Sequence, residues 1–132
     1  MPADRWAELT DALALGLTRL AADDFLVLDA DGRYVQCYQD EDKLLAEAWD
    51  NGGPRLRELG WGAPEAPGGN PSVALPWPFS HAAARGLAEL MVRTLRDVYG
   101  ADPLKLRYRA ANGASDEDWD AGWLGLAERL PD

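Results

Sequence analysis

Base-assisted nucleophilic catalysis needs a serine, threonine or cysteine beside a histidine, and the chain carries one histidine, His81, and one cysteine, Cys37. His81 falls in the first turn of a helix, where the helix dipole opposes its charged form, so it reads as a surface or loop-packing residue. Cys37 alternates with Val35 along an apolar strand face and reads as a small core residue; a single cysteine also excludes an internal disulfide and any multi-cysteine metal site. The carboxylates offer three metal-like patterns, each with a simpler explanation. Asp29-Ala30-Asp31-Gly32 resembles part of a calcium loop. With Gly32 sixth, however, Val27 stands first and Tyr38 twelfth, so two required oxygen ligands are missing. Asp40-Glu41-Asp42 reads as a solvated turn, and Asp116-Glu117-Asp118 as acids placed favourably at a helix N-terminus. No dinucleotide or Walker phosphate loop is present, since Gly68-Gly69-Asn70 is too short and too rich in neighbouring prolines to open a helix. A carboxylate pair assembled only by folding stays open. The residues otherwise argue against an enzyme, and neither a metal nor a cofactor is expected.

Six tryptophans in 132 residues are the more informative feature. Trp6, Trp119 and Trp123 sit on helical apolar stripes and read as core. Trp49, Trp61 and Trp77 fall at element ends or in a long loop, where anchoring the loop and forming a hydrophobic contact surface are both open. Charge narrows the partners further. Twenty-three acids against 13 bases give a net charge of −10, which repels nucleic-acid backbones and anionic lipid, so neither nucleic acid nor membrane is expected. The middle of the chain, 55–113, is net basic and can pair with the acidic ends. The N-terminus lacks the basic start and apolar run of a secretory leader, and the chain reads as cytoplasmic.

The elements that must position these residues follow from periodicity. Trp6, Leu9, Leu13, Leu17 and Leu20 trace one helix face, capped by Asp4. Phe25–Leu28 and Arg33–Gln39 flank an Asp-Gly pair, the signature of a β-hairpin. Lys43–Asn51 is ambiguous, its composition leaning to helix, and Asn51-Gly52-Gly53-Pro54 ends it. Arg55–Leu59 supplies one helical turn, and proline-rich Ala63–Phe79 reads as a long loop anchored by Trp61, Trp77 and Phe79. Ser80 caps a second helix whose stripe runs from Ala84 to Val98. Leu104–Arg109 alternates as a strand with Lys105, Arg107 and Arg109 on its polar side, and a last helix buries Trp119, Trp123, Leu126 and Leu130. One domain spans 1–132.

Several short motifs carry a family resemblance across roughly Trp6 to Ala110. They are Gly32-Arg33-Tyr34-Val35-Gln36, Ala46-Glu47-Ala48 with Asn51, and Leu59-Gly60-Trp61 with Pro64 and Asn70. Thr94-Leu95-Arg96-Asp97-Val98-Tyr99-Gly100 follows, then Pro103, Leu104 and Tyr108. In these the chain resembles the TY-Chap peptide-binding chaperone domains, related to YbjN-like proteins and CesT-like type III secretion chaperones. The resemblance implies an α+β fold: a single antiparallel sheet with helices packed on it, in the order helix, three strands, long loop, helix, strand, helix. It also implies that Leu44–Asp50 is a strand. Val35, Cys37, Leu104 and Leu106 would then face the helices. The other face would gather Tyr34, Gln36, Tyr38, Glu47, Trp49, Lys105, Arg107 and Arg109, aromatics beside cations as a peptide-recognising surface requires. A peptide groove, cover by Trp119 and Trp123, and a homodimer interface are all open for that face. The function implied is non-catalytic binding of a peptide or partly folded protein client. The alternative is an acidic immunity-type protein that neutralises a basic partner by charge.

Overall fold

The computed structural model describes residues 4–50, 54–64 and 67–128. Helix α1 (Arg5–Leu17) opens on Asp4, whose carboxylate accepts from the amides of Trp6 (3.0 Å) and Ala7 (3.1 Å). Strands β1 (Asp24–Ala30) and β2 (Arg33–Gln39) form the expected hairpin. Asp31 and Gly32 both take positive φ at its tip (56° and 92°), which matches the twist of the flanking strands. Lys43–Ala48 is strand β3, antiparallel to β2, as the resemblance implied and against its helical composition. Pairing on both of its edges outweighs the local preference. The Asn51-Gly52-Gly53 stop and Leu130 lie outside the described residues.

Three expectations need correction. First, the proline-rich stretch contains strand β4 (Ser72–Pro76), which follows the short helix α2 (Arg55–Leu59) and pairs antiparallel with β3. Proline is compatible with this position because β4 is the sheet's edge and Pro76 ends it. Second, the strand expected at Leu104–Arg109 begins later, as β5 (Arg107–Asn112). Pro103 and the Asp102 carboxylate, which accepts from the Leu104 amide at 3.0 Å, wind Pro103–Lys105 into a 3₁₀ turn that leaves Leu104 73% exposed. The alternation keeps its phase, so Leu106 and Tyr108 are still buried and Arg107 and Arg109 still exposed. Third, no C-terminal helix forms over 115–128. The Asn112 side chain accepts from the amides of Ala114 and Ser115, Asp116 adopts φ 60° and Gly125 φ 73°. The segment lies along β5 instead, with a bridge from Ala111 to Asp118, a 3₁₀ turn (Gly122–Leu124) and the two-residue strand β6 (Ala127–Glu128), parallel to β5.

The sheet order is β4-β3-β2-β1-β5-β6, antiparallel except for the final pair. Helix α3 (His81–Arg93), capped by Ser80, packs with α1 over one face. There Leu26, Leu28, Val35, Cys37, Leu44 and Ala46 meet Leu13, Leu17, Leu87 and Met91 in one core. That helix runs on into a π-helical stretch (Thr94–Val98), where the Tyr99 amide donates to the Thr94 carbonyl at 3.0 Å. Among the described residues no helix is long and apolar enough to cross a membrane.

Candidate functional site on the outer sheet face

Because side chains alternate along a strand, cross-strand partners share a face, and the register fixes what the other side of the sheet presents. One row runs Ala111, Phe25, Tyr38, Leu45, Ala74; the next runs Arg109, Val27, Gln36, Glu47, Ser72; a third holds Arg107, Asp29 and Tyr34. Six of the seven expected site residues therefore stand together: Tyr34, Gln36, Tyr38, Glu47, Arg107 and Arg109. Lys105 does not join them, since it lies in the 3₁₀ turn before β5.

Three residues of this face were missed by the sequence reading: Phe25, Val27 and Leu45. They line a shallow concavity of about 340 Å³ together with Gln36, Tyr38 and Glu47. Their signal was present in the alternation itself. If Leu26 and Leu28 point inward, Phe25 and Val27 must point outward, and Leu45 must share the side of Glu47. An apolar run disguised that pattern. The concavity thus has an apolar floor of Phe25, Val27 and Leu45, with the Arg109 guanidinium 5.8 Å from the centre of the Phe25 ring. Glu47 lies on the opposite flank and accepts from the Gln36 amide at 3.4 Å.

Two tyrosines are fixed by their hydroxyls. Tyr34 accepts from the Asn70 side-chain amide at 3.0 Å, which ties the segment before β4 to the face. Tyr38 donates to Asp23 at 2.5 Å. That bond, then burial and the negative charges of Asp23 and Asp40, hold its phenol protonated above the ordinary range.

Trp49 is placed differently from the expectation of an open-face residue. It follows the end of β3 and is half-buried, with its ring edge-on to Tyr99 at 6.0 Å between centroids. Tyr99 comes from the helix layer, and its hydroxyl donates to the backbone carbonyls of Trp49 (2.6 Å) and Tyr34 (3.1 Å). Trp49 is thus a rim residue clamped from behind. Burial pushes the Tyr99 phenol strongly up. Both phenols stay protonated in the folded chain where an unfolded one ionises. Their stabilisation is complete below about pH 10 and is lost as pH rises through the raised folded values. Tyr99→Phe should therefore cost about 1–2 kcal/mol at neutral pH, by stripping the Trp49 carbonyl of its donor, and should flatten the alkaline decline. Urea unfolding of both proteins between about pH 7 and pH 11 checks this, and an unchanged alkaline slope refutes it.

The other chemistry-bearing residues sit apart. Cys37 is buried on the core side, and burial pushes its thiol up to about 12. His81 is an exposed first-turn residue of α3. Asp40 caps the β2–β3 turn, accepting from the amides of Asp42 (2.7 Å) and Lys43 (2.8 Å), bonds that hold its carboxyl below the usual range. No cluster of three or more histidine, cysteine or acidic residues that could hold a metal exists among the described residues.

The C-terminal tryptophans do not lie over the sheet's outer face. Trp119 and Trp123 both line a cleft against α1, on the helix side. A family model described as T3SS (YopN, CesT) and YbjN peptide-binding chaperone 3, TY-Chap3, matches residues 2–112. No curated protein and no solved structure matches the chain.

Proposed function

The chain belongs to the TY-Chap3 family of peptide-binding chaperones, and from that membership we propose that it holds an extended peptide or partly folded protein client on the outer face of the sheet, without catalysis. One observation carries the placement. The helices and the C-terminal tryptophans all pack on one side, leaving Phe25, Tyr38 and Leu45 half-buried around an open concavity on the other. An aliphatic or aromatic client side chain fills that floor. Arg107 and Arg109 on one flank and Glu47 on the other then fix the direction of the bound segment by charge. Tyr34, Gln36 and Tyr38 add polar contacts between the flanks.

Peptides selected from a random library on the native protein supply the ligand. Leu45→Ser should weaken a selected peptide by about tenfold or more, within the 1–3 kcal/mol of an interface hot spot, and Arg107→Glu similarly for an acidic peptide. The midpoint of Arg107→Glu should move little because that side chain is exposed, and half-buried Leu45→Ser should cost only about 1 kcal/mol, leaving both proteins folded for the binding measurement. Retained affinity in both variants refutes the placement. Salt separates the rival reading, because apolar docking persists in added salt whereas neutralisation of a basic partner by net charge fades.

A further inference from the structure

The family match stops at residue 112, and the remaining described chain, 113–128, behaves as an occupant of the fold rather than a layer of it. It follows the free edge of β5: the Asn112 amide donates to the Glu117 carbonyl at 2.8 Å and the Trp119 amide to the Ala110 carbonyl at 3.1 Å, and β6 adds a parallel pair. Beyond that edge it drops two tryptophans onto α1. Trp119 and Trp123 line a cleft of about 390 Å³ with Ala12, Leu15, Gly16 and Leu20. Gly16 is the seat, since a methyl group built on it would fall inside the Trp123 indole. Yet Trp123 remains 44% exposed and Leu15 48%. Main-chain pairing along a sheet edge, with side chains inserted beside it, is how an extended peptide is held by strand addition.

We propose that the α1–β5 cleft is a second peptide-binding site, filled in cis by this strap, and that it takes an extended acidic, tryptophan-bearing peptide when the strap leaves. The strap itself states the ligand chemistry. Asp116, Glu117, Asp118 and Asp120 surround Trp119, and the cleft that receives it is lined by the cation Arg19, while its one acid, Asp24, is already engaged by the Ala21 amide and the Asn112 side chain. Its hold is weak by construction: parallel pairing, as between β5 and β6, is the less stable kind, and residues 113–118 are exposed. This site is independent of the outer sheet face.

The test uses the full chain and a labelled synthetic peptide of residues 114–128. Trp119→Ala with Trp123→Ala releases the strap, and the peptide should then bind at least tenfold more tightly than to the native protein. Adding Gly16→Ala should abolish that gain by filling the Trp123 seat, while alanine, the better helix former, preserves α1. Adding Leu45→Ser, which damages only the outer face, should leave the gain intact. Equal binding by native and released chains, or a gain indifferent to Gly16→Ala, overturns the proposal. Hydrogen exchange on the native protein decides independently of whether the variants fold. The Trp119 amide should exchange at least a hundredfold faster than the β1–β2 amides, and protection equal to theirs shows an integral element and overturns it.

Discussion

Trp61→Ala is expected to lower the unfolding free energy by about 3–5 kcal/mol, the largest loss of any single substitution considered. Trp61 stands just after Gly60, whose φ of 128° turns the chain back at the end of α2, and it is 3% exposed. Truncation therefore leaves a cavity of nearly a whole indole. A second consequence follows from its one polar atom. The indole N–H donates to the Thr94 hydroxyl at 2.8 Å, and that hydroxyl donates to the Leu90 carbonyl at 2.8 Å. Thr94 opens the π-helical turn whose last bond sets Tyr99, and Tyr99 clamps the Tyr34 and Trp49 carbonyls. A buried tryptophan on the helix side thus supports the rim of the outer sheet face through three links. Trp61→Phe, which keeps most of the volume, should cost about 1–2 kcal/mol and speed exchange at the Tyr99 amide. Urea unfolding checks both magnitudes; a Trp61→Ala loss below about 1 kcal/mol refutes the cavity argument.

Which parts of this arrangement were legible in the sequence follows from which signals are local. Asp4, the Asp31-Gly32 pair and Ser80 each act on their own backbone neighbourhood, so the first helix, the hairpin and the α3 start could be read directly. The face of the sheet was legible wherever alternation was strict, as in Tyr34, Gln36 and Tyr38. Lys43–Ala48 was not, because leucine, alanine and glutamate favour helix and only pairing with β2 and β4 makes the segment a strand. The C-terminal segment failed for a related reason. Ser115 and Asp118 carry the signature of a helix start, but Asn112 captures the neighbouring amides first and the open edge of β5 supplies competing partners. The tryptophans divide the same way. Those on apparent helical stripes, Trp119 and Trp123, lie in a cleft, whereas Trp61, from a loop, is the deeply buried one. Burial of a loop residue depends on contacts such as that with Thr94, 33 positions away, which no local window contains.

Trp49→Ala should separate support from contact on the proposed client face. Alternation alone projects Trp49 to the side of Arg107, where its loss would weaken a client and spare the fold. The structure instead sets its ring edge-on to Tyr99 and half-buries it against the core. Removing it uncovers Tyr99 and loosens the carbonyls that the Tyr99 hydroxyl holds at 2.6 and 3.1 Å. Half of a large aromatic's burial and an edge-on pair are lost together, so the expected cost is about 2 kcal/mol in stability. Arg107→Glu is the counterpart. Arg107 is exposed, and its reversal sets an acid opposite Asp29 in register at a cost within about 1 kcal/mol, so the unfolding midpoint should fall only slightly while an acidic client loses about tenfold in affinity. Measuring unfolding midpoint and peptide affinity on both variants gives a crossed pattern if the outer face is the client site and Trp49 its buttress. If Trp49→Ala leaves the midpoint unmoved and abolishes binding, the tryptophan is itself the contact and the client lies at the rim. If both variants bind normally, the client lies elsewhere, and the cleft beneath the C-terminal strap becomes the surface to test.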